Sequence, residues 1–147
     1  MALEKIVLAD SRRVFANFRR KMYTENQLSY LIRGDAFKVH SALGPGLLES
    51  VYETALEYEL KILDLEVRSQ IGIPMHYQNI LFDVGYRLDL LIENKVIVEI
   101  KSVDSLIDIH HKQLLTYLKL MDKKLGLLIN FNATSLNKSI VRIANHL

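Results

Sequence analysis

Residues 85–101 decide the fold and read Gly-Tyr-Arg-Leu-Asp-Leu-Leu-Ile-Glu-Asn-Lys-Val-Ile-Val-Glu-Ile-Lys. Two short apolar runs in this stretch flank a polar turn at residues 93–95, a pattern that predicts a β-hairpin. Each run carries ionisable side chains where a buried strand normally has none: Asp89 in the first, and Glu99 and Lys101 in the second. These charges indicate that one face of the hairpin either carries out chemistry or pairs charges, in addition to core packing.

The register of the hairpin decides whether these charges meet, because alternate residues of a strand share a face. Alternation puts Glu99 and Lys101 on one face of the second run. On the first run it predicts one shared face for Tyr86, Leu88, Leu90 and Ile92. A three-residue loop pairs Asp89 with Glu99. Two carboxylates about 5 Å apart at the backbone repel each other unless a cation lies between them or one takes up a proton. With Lys101 beside them, the arrangement suits a divalent metal ion and a positioned ammonium group.

These residues and one later pair resemble the signature of the PD-(D/E)XK nuclease superfamily. Asp89, nine further residues and then Glu99-Ile100-Lys101 are similar to its Asp...Glu-x-Lys motif. Gln113 and Tyr117 in the following predicted helix are similar to the Gln-x-x-x-Tyr motif of its RecB-type branch.

An upstream segment resembles a more specific pattern. The sequence Gly46-Leu47-Leu48-Glu49-Ser50-Val51-Tyr52 is similar to the motif that names the GxxExxY family within the superfamily. The resemblance extends from about residue 40 to the C-terminus, and the four elements occur in the expected order.

The resemblance implies an α/β, restriction-endonuclease-like fold with an αβββαβ core, and hydrolysis of phosphodiester bonds, with DNA as the expected substrate. The catalytic residues that it implies are Asp89, Glu99, Lys101, Gln113 and Tyr117. The metal ligands that it implies are Glu49, Asp89, Glu99 and the Ile100 carbonyl. Oxygen ligands of this kind select Mg²⁺ or Mn²⁺.

Two other function classes compete with a nuclease. The first is a catalytically silent module of the same fold that binds nucleic acid or a protein partner; the intact Asp, Glu and Lys argue against it. The second is a small-molecule hydrolase or transferase. The sequence has no Gly-rich phosphate loop, no cysteine nucleophile and no nucleophile-elbow serine motif, so nothing supports this class.

Composition sets broader bounds on the protein. A chain of 147 residues predicts one domain, and the lack of cysteine excludes disulfides and thiolate zinc sites. A cytoplasmic setting is expected, without membrane association, and a homo-oligomer is compatible with the sequence. Residues 1–26 carry six basic and three acidic side chains, whereas the rest carries 13 basic and 14 acidic ones. Phosphate binding would therefore need a local groove and a metal ion rather than a strongly basic domain.

The first 26 residues show no clean period and lie outside the resemblance. They are interpreted as an N-terminal extension that is either disordered or upstream of the native start, with Met22 as an alternative start. A basic arm that contacts nucleic acid is a second interpretation, and the acidic residues argue against a targeting peptide. Residues 27–147 are interpreted as a single domain.

The expected elements of that domain follow from periodicity and breakers. Helices are predicted over residues 27–43, 48–63 and 105–121, and strands over 66–75, 80–92, 96–101 and 125–131. Pro74 predicts that the first strand is outermost, and Gly85 predicts a bulge or a close approach by ligand. A right-handed crossover makes the last two strands parallel, in a mixed sheet of order 1-2-3-4 flanked by helices. The tail at residues 136–147 fits either an edge strand or a helix.

Overall fold

The structure, a computed structural model, describes the backbone of residues 1–147 and all side chains except those of residues 19–21 and 83–84. Its helices are α1 (Ala2–Met22), α2 (Glu25–Leu43), α3 (Glu49–Ile62) and α4 (Asp108–Leu120). Its strands are β1 (Val67–Tyr77), β2 (Ile80–Ile92), β3 (Val96–Lys101), β4 (Leu125–Asn130) and β5 (Ile140–Ala144), with a 3₁₀ turn at Leu136–Lys138.

The strands form one mixed sheet in the order β1-β2-β3-β4-β5. Only β3 and β4 pair in parallel, through the crossover helix α4, and the other neighbours are antiparallel. The predicted 1-2-3-4 order is confirmed, and β5 shows that the tail ends as an edge strand. The sheet with helices on both faces is the restriction-endonuclease-like architecture expected from the sequence.

The β1–β2 hairpin is irregular at the level of its proline and its glycine. The register between β1 and β2 shifts between Ile73 and Met75 on one strand and between Tyr86 and Phe82 on the other. Pro74 and Gly85 lie within this irregularity. A proline cannot donate to the ladder and glycine accommodates a distorted backbone, so both predictions, an edge strand and a bulge, are confirmed.

Two apolar clusters cover the two faces of the sheet. The first packs α2 and α3 on one face and includes Leu28, Ile32, Ala36, Val39, Tyr52, Leu56, Leu60, Leu90, Ile92, Val96, Val98 and Ile100. The second lies under α4 and includes Ile73, Leu88, Leu91, Ile97, Leu114, Tyr117, Leu118 and Leu128. A Cβ at Gly126 would lie 2.9 Å from the Leu114 side chain, so glycine there permits the close approach of α4 to β4.

The loop between α2 and α3 is fixed by a buried tyrosine. Gly44 and Gly46 have φ angles of 68° and 96°, which glycine adopts without steric cost. The Tyr52 hydroxyl donates to the Gly44 carbonyl at 2.5 Å and accepts from the Leu47 N–H at 3.1 Å. Its ring stacks on Phe131 with centroids 4.7 Å apart. Tyr52 therefore ties down the loop that precedes Glu49.

The N-terminal segment, in which the sequence shows no clean period, forms α1. Leu3, Val7, Val14 and Phe18 lie along one side of this helix, but Asp10 and the adjacent serine interrupt the stripe, which obscured the period. These four side chains are exposed. The division into an extension and a domain remains a prediction.

Among the described residues, none of the helices combines the length and the apolar character needed to cross a bilayer.

Candidate functional site

The β2–β3 ladder changes character at Asp89. Main-chain pairing runs from Ile92 and Val96, which flank the predicted three-residue loop, to Leu90 and Val98. Beyond that point the Asp89 N–H donates to Glu99 Oε1 at 3.0 Å, and the Ile100 N–H donates to Asp89 Oδ2 at 2.8 Å. The register predicted from the loop is confirmed, and the carboxylates themselves replace main-chain acceptors where the ladder opens.

The predicted shared face of Tyr86, Leu88, Leu90 and Ile92 is wrong. Leu90 and Ile92 lie in the cluster under α2 and α3, whereas Leu88 lies in the cluster under α4. The Tyr86 ring also contacts Tyr117 of α4, edge to face at 6.4 Å. The alternation of side chains between the two faces of β2 is interrupted at Asp89, because the Asp89 N–H is bonded to a side chain rather than to the main chain of β3.

The neighbouring strand is kinked at the same level. The pairs Ser69 with Leu90 and Ile71 with Leu88 flank Gln70 and Asp89, which are not themselves paired. Gln70 has a φ of 52°, in the left-handed region. Its Nε2 donates to both carboxylate oxygens of Glu53 on α3, each at 2.9 Å. The opening in the sheet is therefore bordered on one side by α3.

Glu99 is the most strongly perturbed acid at this opening. Its side chain is buried, with 4% exposure. Burial, followed by the charge of Asp89, raises the pKa of Glu99 to about 8, although the Asp89 N–H and Lys101 oppose the shift. Burial also raises the pKa of Asp89, with a further contribution from Glu49, while the Ile100 N–H, Lys101 and Gln70 lower it.

Lys101 and Glu49 complete the charged set that the sequence predicted. Lys101 ends β3, is partly buried, and lowers the pKa of both Asp89 and Glu99 through its positive charge. Glu49 begins α3, and its Oε1 accepts from the Ser102 N–H at 3.3 Å. Ile100 contributes only backbone atoms here, because its side chain is buried under α2 and α3.

The predicted glutamine and tyrosine of α4 contact each other. Gln113 Nε2 donates to the Tyr117 hydroxyl at 2.8 Å. Burial, and then the Glu99 charge, raises the pKa of Tyr117. The pair therefore lies on the α4 side of the same opening. The structure brings together all the residues that the sequence proposed for the site.

His110, in the first turn of α4, lies at the edge of this set. Its Nδ1 accepts from the Ile107 N–H at 3.1 Å, so this nitrogen is unprotonated. Burial and the charge of Lys101 lower the pKa of His110. His110 therefore lies close enough to Lys101 for the two charges to disfavour each other.

The donor set fits a hard divalent cation in its chemistry. Asp89 and Glu99 are adjacent carboxylates, the first half-buried and the second buried. After burial, the charge of Asp89 is the next cause of the raised pKa of Glu99, and a cation between the two carboxylates would offset that repulsion. Among the side chains that the structure describes, no three His, Asp or Glu groups are already arranged to hold a metal ion. Asp89, Glu99 and Glu49 each accept from a backbone N–H instead.

Two cavities differ in their relation to this set. One of about 760 Å³ is lined by α2 and α3 residues such as Val39, Val51 and Tyr58, and by none of the predicted site residues. Another, of about 390 Å³, is lined by Gln113, Tyr117 and Tyr86 among others. Of these two cavities, only the smaller one adjoins the candidate site. Selecting the cavity of larger volume would therefore have pointed to a surface without any predicted site residue.

Sequence reasoning missed two residues, Glu53 and Gln70. Glu53 follows Glu49 by four positions on α3, a spacing that places both on one helix face and could have identified it. Gln70 carries no such signal, because its position depends on a left-handed kink in β1.

The comparisons agree with this geometry. The sequence model of the PD-(D/E)XK nuclease superfamily matches residues 26–143. The chain belongs to this superfamily. Members of the PD-(D/E)XK nuclease superfamily generally use divalent metal ions. The curated proteins gave no match.

One solved structure is also similar to this superfamily member. The crystal structure of SSO0001 has 24% sequence identity and a TM-score of 0.44, over 85% of this chain and 59% of that one. The chain thus spans about three fifths of that protein's length. A similarity of this size supports no inference about function.

Proposed function

We propose that this protein is a metal-dependent nuclease that hydrolyses phosphodiester bonds in DNA. The observation that carries the proposal is the pair formed by the buried Glu99 and the half-buried Asp89, held together at an opening in the sheet with Lys101 beside it. Forcing two like charges together in a buried place costs stability, and such costs are concentrated at functional sites.

Mg²⁺ or Mn²⁺ would be held by Asp89 and Glu99, with Glu49 and the Ile100 carbonyl as further ligands. When bound, the ion would supply a hydroxide-like water at neutral pH and offset negative charge on the scissile phosphate. The chain's own part is to present hard oxygen donors, among which the Glu99 carboxyl is buried. The raised pKa of Glu99 supports this role, because a nearby cation is what would restore its charged form.

Lys101 would orient the attacking water and stabilise charge that develops on the phosphate in the transition state. Its partial burial, and the effect of its charge on both carboxylates, support this role. Gln113 and Tyr117, which contact each other, would hydrogen-bond near the lysine or to the substrate backbone.

The finer classification and setting are part of the proposal. The contact between Gln113 and Tyr117 supports the RecB-type branch, and the Tyr52 hydroxyl bonds at the loop before Glu49 support the GxxExxY family. We infer a cytoplasmic protein with residues 27–147 as its nuclease domain and residues 1–26 as an extension. A homo-oligomer is compatible with this proposal.

The test is a cleavage assay with labelled single-stranded, duplex and branched DNA, and with RNA, in Mg²⁺ and then in Mn²⁺. Lys101→Ala should reduce cleavage by about 10²-fold or more, the scale expected when one charge-stabilising group is removed, and leave Mg²⁺ affinity within a few fold. Lys119→Ala, an exposed lysine on α4, is the matched control and should cleave like the wild type.

A catalytically silent module of the same fold is the alternative. The finding that favours it is that no three described carboxylate or imidazole groups are prearranged around an ion position. If the wild type binds DNA but cleaves no member of the panel in either metal, this alternative replaces the nuclease. Cleavage that persists in Lys101→Ala would instead indicate a contaminant or a different site.

A further inference from the structure

Gln70 adopts a backbone conformation that its location does not require. It is exposed on the edge strand β1, so no core packing depends on it, yet its φ is 52°. Glutamine rarely adopts left-handed angles, and glycine or asparagine would do so at lower cost. A strained residue of this kind persists only where the surrounding contacts hold it.

The contacts that hold Gln70 come from its side chain. Its Nε2 donates to both oxygens of Glu53, at 2.9 Å each, which ties β1 to α3 across the opening in the sheet. Gln70 lies between the pairs Ser69 with Leu90 and Ile71 with Leu88, across β1 and β2 from Asp89. In keeping with this position, the Gln70 side chain lowers the pKa of the Asp89 carboxyl. One amide therefore lies between two carboxylates that would otherwise repel each other.

Glu53 serves as the anchor of this arrangement. Burial raises the pKa of Glu53, with a contribution from Asp89, and the Gln70 amide opposes that shift. Without the amide, the two acids would face each other directly.

We propose that Gln70 is a positioning residue that holds the Asp89 carboxylate in place for the divalent ion, with Glu53 fixing the Gln70 amide in turn. This inference rests on the proposed metal-dependent function. It assigns a role to two residues that contribute no ligand, and it explains why β1 is kinked opposite Asp89. Partners of metal ligands typically change affinity by about 10–100-fold when removed.

The chain offers a closely matched control. Gln78, in the turn between β1 and β2, is also an exposed glutamine with a left-handed φ, of 49°, but it is distant in the strand from Asp89. Gln70→Gly and Gln78→Gly relieve the same kind of backbone strain. Each also raises the conformational entropy of the unfolded chain by a similar amount. Only Gln70→Gly removes an amide from the site.

The experiment measures Mn²⁺ binding to the full chain by calorimetry, together with melting temperature in a chelator. Gln70→Gly should bind Mn²⁺ at least about 10-fold more weakly than the wild type, and Gln78→Gly should bind within about twofold of it. Because Gln70→Gly also loses its bonds to Glu53, the melting curves serve to show that both variants are folded at the temperature of the calorimetry. Gln70→Asn tolerates the left-handed φ but is one methylene shorter, so it should stay folded and show the same loss of affinity.

Each outcome bears on the proposal. Wild-type affinity in both Gln70→Gly and Gln70→Asn overturns it and leaves the metal-dependent nuclease in place. Gln70→Gly could melt at a lower temperature than Gln78→Gly without metal and still bind Mn²⁺ with unchanged affinity. That result would mean that Gln70 only stabilises the fold, and it would also overturn the proposal. No Mn²⁺ binding by the wild type would overturn both this inference and the metal-dependent function.

Discussion

The two ends of the β2–β3 hairpin differ in what holds them together. At the turn end, Leu90, Leu91 and Ile92 pair through main-chain bonds with Val98, Ile97 and Val96, and all six are at most 1% exposed. At the open end, only one residue further along each strand, the carboxylates of Asp89 and Glu99 accept the N–H groups that a ladder would use. One hairpin thus contains a stabilising half and a half that carries charge.

The difference shows how a small domain can accommodate a costly site. Burial of apolar side chains contributes about 1.5–3 kcal/mol for each large residue, whereas placing like charges together in a buried region opposes folding. The turn end fixes the register, and the register then forces Asp89 and Glu99 together. The position of the site therefore depends on residues that do no chemistry.

The largest expected effect on stability comes from breaking the turn end. Ile92→Ala should lower the free energy of unfolding by about 2–5 kcal/mol, because it leaves a cavity in the cluster under α2 and α3. Urea unfolding of the metal-free protein measures this loss. Folded Ile92→Ala should still bind Mg²⁺ with nearly wild-type affinity. Ile92 lies at the turn end of the hairpin, away from Asp89 and Glu99, and its side chain packs in the cluster under α2 and α3.

A milder variant calibrates this result. Ile92→Val removes one methyl group and should cost about 0.5–1.5 kcal/mol. If Ile92→Ala is as stable as the wild type, or if it loses metal binding while fully folded, the division of the hairpin into two functional halves is wrong.

The next effect concerns the open end and depends on pH. In the folded chain the pKa of Glu99 is raised to about 8, mainly by burial, from an ordinary value of 4.5. The folded state then binds this proton more tightly than the unfolded state. The resulting stabilisation is complete below about pH 4.5 and is lost as the pH rises through about 8, with a slope of at most about 1.4 kcal/mol per pH unit.

Unfolding in a chelator at several pH values between 5 and 8 tests this slope. Glu99→Gln, which cannot titrate, should flatten the part of the pH dependence that is due to this group. A wild-type stability that rises steadily over the same interval would mean that Glu99 is charged in the metal-free fold.

Much of this comparison could be predicted from sequence. The loop at residues 93–95, together with the period of two, predicted the register, and the signature residues predicted a candidate site. These are local patterns, and local patterns specify strand pairing when one face is buried. Strand order followed from the crossover rule, which depends only on the sequence of elements.

The face change at Asp89 and the role of Gln70 could not be predicted in the same way. Both depend on side chains that replace main-chain hydrogen bonds, and periodicity assumes that the main chain pairs throughout. The helix α1 was missed for a simpler reason, since Asp10 interrupts its apolar stripe. The strand therefore departs from regular alternation at Asp89, where hydrogen bonds to charged side chains, rather than the burial of apolar ones, determine the path of the backbone.

The smallest expected effect on stability is that of Asp89→Asn, and it separates function from folding most directly. The asparagine oxygen can still accept the Ile100 N–H, and the substitution removes a like charge next to Glu99. The metal-free variant should be as stable as the wild type or slightly more stable, while its affinity for Mg²⁺ falls. Asp89→Ala is the contrast, because it leaves the Ile100 N–H without its acceptor and should cost about 1–3 kcal/mol. Thermal melting in a chelator and calorimetry with Mg²⁺ measure the two quantities separately. If Asp89→Asn melts as low as Asp89→Ala, the charge of Asp89 stabilises the fold, and the open end would be a structural feature like the turn end.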